Sequence, residues 1–351
     1  MKVTACIVNW NTAAHLPGAL AGLAGQTHPD LDVVVVDNAS ADGSAELVRR
    51  RFPDVRLVAN AANLGFAGAA NQGVALARAS GSEAFLVCNP DATCEPGYLA
   101  SAVRTLVADP GRAAVQGRLW RTPPAAAAGH ELGAAALATL AGPQRVLDTT
   151  GHVAFRTRLF RNRGEGQIDR GQHAAGPVFG VSGALALYRV AALDDVACEG
   201  EVFDTDLFAF WEDVDLDWRL ALRGWSAWYE PGACAWHERG GAGPRRSEIV
   251  ERLNFTNRFL VVLKNDAPAA LARALPGVAL TTSLKAGELA LTAPRAFVGS
   301  FGTLRLVPGT LRKRRLVQQR ATVDPAEVVE RWFQPFDYLH WVRTWWRRVT
   351  T

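Results

Sequence analysis

Two apolar runs near the start of the chain, each stopping abruptly on polar residues, constrain its fold more than any other feature. Val3-Thr4-Ala5-Cys6-Ile7-Val8 runs into Asn9-Trp10-Asn11, and residues 31–36 run into Asp37-Asn38-Ala39-Ser40. Between them Leu16, Leu20 and Leu23 recur at helical spacing. Strand, amphipathic helix and strand in that order form a βαβ unit, with parallel strands and a right-handed crossover. Ligands of such sheets collect beyond the carboxyl ends of the strands, where Asn9, Asn11, Asp37 and Asn38 fall. Ser40, Asp42, Gly43 and Ser44 suit the cap of the next helix, and residues 55–59 and 85–88 supply a third and a fourth strand. The first strand is not followed by a Gly-rich dinucleotide fingerprint, which argues against NAD.

Two further motifs carry acids. Asn89-Pro90-Asp91 directly follows an apolar strand, and oxygens presented at a strand end suit a hard divalent cation bridging two phosphates. The same tripeptide is also ordinary turn chemistry. Trp211-Glu212-Asp213-Val214-Asp215-Leu216-Asp217-Trp218-Arg219 puts four carboxylates into an aromatic, apolar run. Acids there cost free energy unless they do chemistry or find partners. If a helix opens at this point, Glu212 and Asp213 occupy its first turn and Asp213 and Asp217 share a face. The competing reading is an acidic helix start paired with Arg219 and Arg223.

Together the ordered set resembles the family 2 inverting glycosyltransferases of the GT-A fold, in particular their rhamnosyltransferase-like branch. The set comprises Val8-Asn9-Trp10-Asn11, the Asp37-to-Ser44 segment, Asn63-Leu64-Gly65-Phe66-Ala67-Gly68-Ala69-Ala70-Asn71, Asn89-Pro90-Asp91 and Glu212-Asp213-Val214-Asp215-Leu216. The resemblance spans residues 3–265. It implies an α/β fold with a Rossmann-like nucleotide-binding sheet, a mixed acceptor-side half and a helical C-terminal extension. Regions 1–120, 121–265 and 266–351 correspond to these three parts.

The resemblance also implies roles. Asp37 would read the nucleotide base, with Asn9, Asn11 and Asn38 around the nucleoside, and Asn63, Gly65 and Asn71 would line base and ribose. Asp91, beside Asn89, would bind Mg²⁺ or Mn²⁺, with His237 as a further ligand. Arg245, Arg246 and Arg258 would clamp the diphosphate. Asp213 would be the base that takes the acceptor hydroxyl proton, and Glu212 would orient it. Gly183, within Gly180-Val181-Ser182-Gly183-Ala184, and Trp211 would meet the acceptor. The implied reaction moves a sugar, foremost rhamnose from dTDP-rhamnose, to a polyprenyl-linked glycan in cell-surface polysaccharide assembly. A UDP-hexose or galactofuranose donor, or a catalytically silent nucleotide-sugar-binding partner, are the alternatives.

Composition agrees. The five cysteines are odd in number and lack a Cys-x-x-Cys pair, which points to a reducing, cytoplasmic setting rather than disulfides or zinc. A net charge of +4 is too small to argue for nucleic acid. After residue 266 the apolar stretches are too broken for a membrane-spanning helix. Asp324-Pro325-Ala326-Glu327 should start a helix. The run Arg312-Lys313-Arg314-Arg315 and the cluster Trp332, Trp341, Trp345, Trp346 with Arg343, Arg347 and Arg348 suit the inner face of the cell membrane. Docking of those tryptophans on the catalytic domain or on a second subunit is the competing expectation.

Overall fold

The computed structural model describes residues 1–123, 132–239, 247–339 and 341–342. The N-terminal alternation appears as read: β1 (Val3–Asn9), α1 (Leu16–Ala24), β2 (Leu31–Asp37), α2 (Ser44–Arg51), β3 (Arg56–Ala59), α3 (Gly65–Ala79) and β4 (Ala84–Cys88). These are followed by β5 (Ala92–Cys94), α4 (Tyr98–Val107), β6 (Arg112–Arg121), α5 (Ala134–Ala141), β7 (Leu147–Thr149), β8 (His152–Phe155), β9 (Phe160–Asn162), β10 (Gly176–Val178), β11 (Leu185–Arg189) and α6 (Val190–Val196). The acidic motif forms α7 (Glu212–Leu222), which leads into β12 (Ser226–His237). The remainder is α8 (Glu248–Asn265), α9 (Pro268–Thr292), α10 (Pro294–Ser300), α11 (Val307–Arg320), α12 (Pro325–Trp332) and the short β13 (Phe333–Gln334).

One large sheet runs in the order β10-β12-β6-β11-β4-β1-β2-β3. Strands β3, β2, β1 and β4 are parallel, whereas β11 runs antiparallel to both β4 and β6. β6 belongs to the nucleotide side and pairs with β12 of the acceptor side, so both halves share a single sheet. All seven residues of β1 are buried, as a central parallel strand covered on both faces requires. Ala67, Ala70, Val74 and Leu193 pack one face, and Leu16, Leu20, Leu99 and Leu106 the other. The small residues of α3 have a physical reason: a Cβ on Gly73 would come within 2.4 Å of the Cys6 sulfur.

The C-terminal region docks on this body. β13 pairs in parallel with β8, and Phe333 enters a core containing Phe179, Trp218 and Val261. Trp332 packs against that core and Trp341 is buried beside Phe336. Trp345, Trp346, Arg343, Arg347 and Arg348 lie outside the described residues, as do Arg245 and Arg246. The expectation that the basic run faces lipid is corrected for its central members. Lys313 is buried and reaches Asp204 at 2.5 Å and Asp206 at 2.7 Å. Arg314 donates to the Leu263 carbonyl at 2.6 Å, and Arg312 forms a surface pair with Glu199. Asp324 caps α12 through the Ala326 amide, as its sequence requires.

Lys313 is one end of a buried charge network. Lys264 of α8 lies between Asp204 and Asp215, and Asp215 also accepts from Arg219 at 2.9 Å and from the Asn265 amide at 2.8 Å. Lys264→Ala would leave Asp204 and Asp215 short of a cation in a dry site, so a loss of about 3 kcal/mol is expected in urea unfolding. A loss under about 1 kcal/mol would show that the network does not hold α7 to α8.

Candidate active site

The acidic helix is aimed by strained backbone. Phe208, Phe210 and Trp211 all have positive φ, at 60°, 68° and 74°, a conformation that non-glycine residues adopt at a cost of roughly 1 kcal/mol or more each. Asn257 of α8 holds this turn: its side-chain amide donates to the carbonyls of Leu207, Ala209 and Phe210 at 2.8, 2.9 and 2.9 Å. Trp211, whose ring edges Phe160, then caps α7 in the left-handed conformation and Glu212 begins the helix. Gly65 accommodates the same turn, because a Cβ there would lie 2.4 Å from the Phe208 carbonyl oxygen. Its expected opening toward a ligand is therefore filled by protein.

Asp213 is partly exposed, and its Oδ2 accepts the Gly183 amide at 2.9 Å. Gly183, expected to touch the acceptor, thus also holds the carboxylate. His152, which the sequence did not single out, is buried with Nδ1 2.7 Å from Asp217 Oδ2 and Nε2 3.7 Å from Asp213 Oδ2. Asp213 and Asp217 therefore share a helix face and a histidine. Burial lowers the affinity of His152 for a proton, but Asp213 and Asp217 outweigh it and raise the pKa. Burial pushes Asp217 up to about 6 against the opposing pull of His152. Glu212 is buried with Oε2 unpartnered, and burial followed by repulsion from Asp213 drives its pKa well above the usual carboxylate range. Asp215 belongs to the lysine network, and Arg223 pairs with Asp195 rather than with its own helix.

The second cluster stands at the ends of β4 and β12. His237 Nε2 lies 3.3 Å from Asp91 Oδ1 and 3.5 Å from the Asn89 amide nitrogen, while its Nδ1 meets Asp148 at 2.8 Å. Burial opposes protonation of the ring, but Asp91 and Asp148 push its pKa up to about 10. Among the described residues no group of three His, Cys, Asp or Glu makes a metal cage by itself. The donor set fits a cation nonetheless: a carboxylate and an imidazole face each other, and Asp148 fixes the ring from behind as ligating histidines require. The remaining positions would fall to diphosphate and water, as Mg²⁺ commonly accepts. Asp148 has no signal in the local sequence; its place behind His237 is set by the tertiary structure.

The two clusters meet across the sheet. Leu185 of β11 is registered on Cys88 of β4, and the Asn89 backbone amide donates to the Ala184 carbonyl at 2.7 Å. Gly183 and its bound Asp213 therefore stand beside Asn89-Pro90-Asp91.

On the nucleotide side most expected contacts are turned inward. Asn9 is buried and donates to Asp37 Oδ1 at 2.6 Å and Ser40 Oγ at 3.1 Å. Asp37 Oδ2 accepts the Ser40 amide, and Asn38 donates to the Gly65 carbonyl. Asn63 accepts the Gly65 amide, and Asn71 is consumed by the backbone of Val202 and Phe203. Asn11 is exposed beside exposed Trp10, with its Oδ1 on the Ala41 amide. Arg258, expected at the diphosphate, is buried and donates to the carbonyls of Arg158 and Thr157 and to Thr281.

His237, His152, Glu212 and Asp217 all keep a proton in the folded chain to a higher pH than their ordinary values. The folded state thus binds more protons than the unfolded chain, and stability must fall as pH rises. The Asp217 contribution is lost between 3.8 and about 6, and that of His237 between 6.5 and about 10. Urea unfolding without metal at about pH 5, 7 and 9 is expected to show this decline, shallower in His152→Gln/Asp217→Asn; a rise would contradict it.

Comparison with known proteins accords with this arrangement. Residues 2–257 match Glycosyltransferase like family 2. The chain is 30% identical over 247 residues to the N-acetylglucosaminyl-diphospho-decaprenol L-rhamnosyltransferase of Mycobacterium tuberculosis, covering 66% of this chain and 74% of that protein. It is 23% identical over 237 residues to the poly-beta-1,6-N-acetyl-D-glucosamine synthase of Staphylococcus aureus, covering 67% of this chain and 49% of that protein. Among solved structures, the mannosyltransferase PcManGT from Pyrobaculum calidifontis in complex with GDP-Man and Mn²⁺ superposes with a TM-score of 0.50 at 21% identity, covering 94% of this chain and 87% of that one. S. aureus TarS 1-349 superposes with a TM-score of 0.51 at 15% identity, covering 91% and 90%. These likenesses show the GT-A fold, and with the family match over most of its length the chain belongs to glycosyltransferase family 2.

Proposed function

We propose that this glycosyltransferase is inverting and metal-dependent, and that it transfers rhamnose from dTDP-rhamnose to a hydroxyl of a polyprenyl-linked glycan in cell-surface polysaccharide assembly. The observation that supports the reading is the Asn89–Ala184 bond, which ties the segment anchoring Asp213 to the strand end leading to Asp91, itself paired with His237. The likeness to a mycobacterial L-rhamnosyltransferase supports donor and acceptor class.

In this mechanism the acceptor hydroxyl attacks the anomeric carbon from the side opposite the nucleoside diphosphate. The new C–O bond forms as the bond to the diphosphate breaks, and Asp213 takes the hydroxyl proton. Gly183 fixes Asp213 Oδ2, and His152 lies between Asp213 and Asp217, whose charges raise its affinity for a proton, and a proton there offsets the repulsion between the two acids. Asp91 and His237 would hold Mg²⁺ or Mn²⁺, which when bound neutralises charge on the departing diphosphate. Asp37 and Asn11 line the nucleoside end. The enzyme would work as a peripheral protein at the inner face of the membrane; among the described residues no helix is long and apolar enough to cross one.

Asp213→Asn keeps the shape of the side chain but removes its basicity. Transfer is expected to drop about 10²-fold or more with donor affinity nearly intact, measured by product formation and calorimetry. A variant keeping a tenth of the wild-type rate would remove Asp213 from this role.

Metal dependence has its own test. Asp91→Ala is expected to abolish the gain in donor affinity that Mn²⁺ gives, and Asp148→Asn to weaken Mn²⁺ binding by about 10-fold or more by releasing the His237 ring. Because His237 must give up its proton to ligate, Mn²⁺ affinity should increase with pH. Equal donor affinity in chelator and in Mn²⁺ would make the enzyme metal-independent.

A further inference from the structure

Among the described residues of the docked C-terminal region, four strongly exposed apolar side chains gather around α10. Leu291, Val298, Phe301 and Leu304 are 74%, 67%, 61% and 66% exposed, high for large apolar side chains placed so close together. α10 continues without a break into a 3₁₀ turn over Phe301–Leu306, so Val298, Phe301 and Leu304 follow one another at three-residue intervals along one side. The opposite side is anchored. Ala296 is buried, and Gly299 sits so near Arg252 of α8 that a Cβ would lie 3.3 Å from its Cδ. Phe297 braces Phe301 edge to face at 5.7 Å. The exposed stripe is thus held outward by a rigid seat.

Its electrical surroundings select an occupant. Arg295, 87% exposed, precedes the stripe and exposed Arg305 follows it; the acid paired with Arg295 is Glu248, at 3.8 Å and itself well exposed. Between positions 268 and 306 four Lys and Arg stand against one acid, Glu288, although the whole chain carries only +4. A second copy docking by twofold symmetry would bring Arg295 and Arg305 toward their own equivalents. An anionic bilayer instead offers acyl chains to the stripe and phosphates to the arginines, the arrangement of a helix lying in the membrane interface.

We propose that the face formed by Leu291, Val298, Phe301 and Leu304, flanked by Arg295 and Arg305, is the surface on which this enzyme sits on an anionic membrane. This deepens the reading of a lipid-linked acceptor and rests on it for its purpose, while its binding is measured separately. It also differs from attachment through Arg312-Lys313-Arg314-Arg315, whose central members are occupied within the protein.

The test is flotation of the full chain with vesicles of phosphatidylcholine containing phosphatidylglycerol at low salt. The intact protein is expected to float, and Val298→Ser/Phe301→Ser to reduce the bound fraction about tenfold or more. Both positions are exposed, so the melting temperature should be retained, and Leu304→Ser provides a second variant for the same measurement. Overturning results are a variant that floats as well as wild type, an intact protein that stays with the soluble fraction, or a concentration-dependent dimer that the substitutions dissolve. Transfer to a water-soluble acceptor is measured in parallel and should be unchanged in the variants. Its absence in every form would sink the transferase reading while leaving the flotation result to judge the surface alone.

Discussion

The site depends on how the short segment 180–184 satisfies its buried backbone. The amides of Val181, Ser182 and Gly183 are accepted in turn by Asp217, Gln116 and Asp213, and the carbonyls of Gly180 and Ala184 accept the amides of His152 and Asn89. A buried amide without a partner costs as much as a lost hydrogen bond, so each acceptor is fixed in turn by the backbone it satisfies. The geometry leaves no slack at Gly180, where a Cβ would overlap the Asp217 carboxylate at 1.8 Å. One short segment thereby sets the positions of the acidic helix, the buried histidine and the strand end carrying Asp91.

Fixing α7 from the other side requires a different interaction. Asp215 faces away from His152 into a network in which Arg219, Lys264 and Lys313 meet Asp204, Asp206 and Asp215. Charges match within it, which is what allows so many ions to be buried together. Successive acids of one helix thus have opposite surroundings. Asp215 is surrounded by cations, whereas Asp213 and Asp217 share one histidine and Glu212 is buried against the charge of Asp213. The strained turn at 208–211 adds a third constraint, held by Asn257 and made possible by the absent Cβ of Gly65.

The same packing accounts for the basic C-terminal region. Lys313 and Arg314 are drawn inward because α11 covers α8, and β13 adds to the β8–β9 hairpin. The apolar side chains of Leu291, Val298, Phe301 and Leu304, at the end of α9, on α10 and in the turn after it, stay outside, a division between committed charge and exposed hydrocarbon that a count of arginines does not reveal.

The sequence by itself determined the elements and their order. Parallel strands, the opening of α7 at Glu212 and the cap at Asp324 follow from local patterns of apolar and capping residues, which operate within a few positions. It also marked Asp91, Asp213 and His237 as residue types suited to the chemistry. It could not show that Gly183 binds Asp213, that Asn71 and Arg258 are spent on backbone, or that His152 and Asp148 stand behind the acids. A strand residue such as His152 has no periodic signature of its partners, which lie 65 positions away for Asp217 and 61 for Asp213. Which polar group faces a ligand and which is consumed internally is decided only when the chain closes, because burial drives most polar atoms to the partners that the tertiary structure supplies.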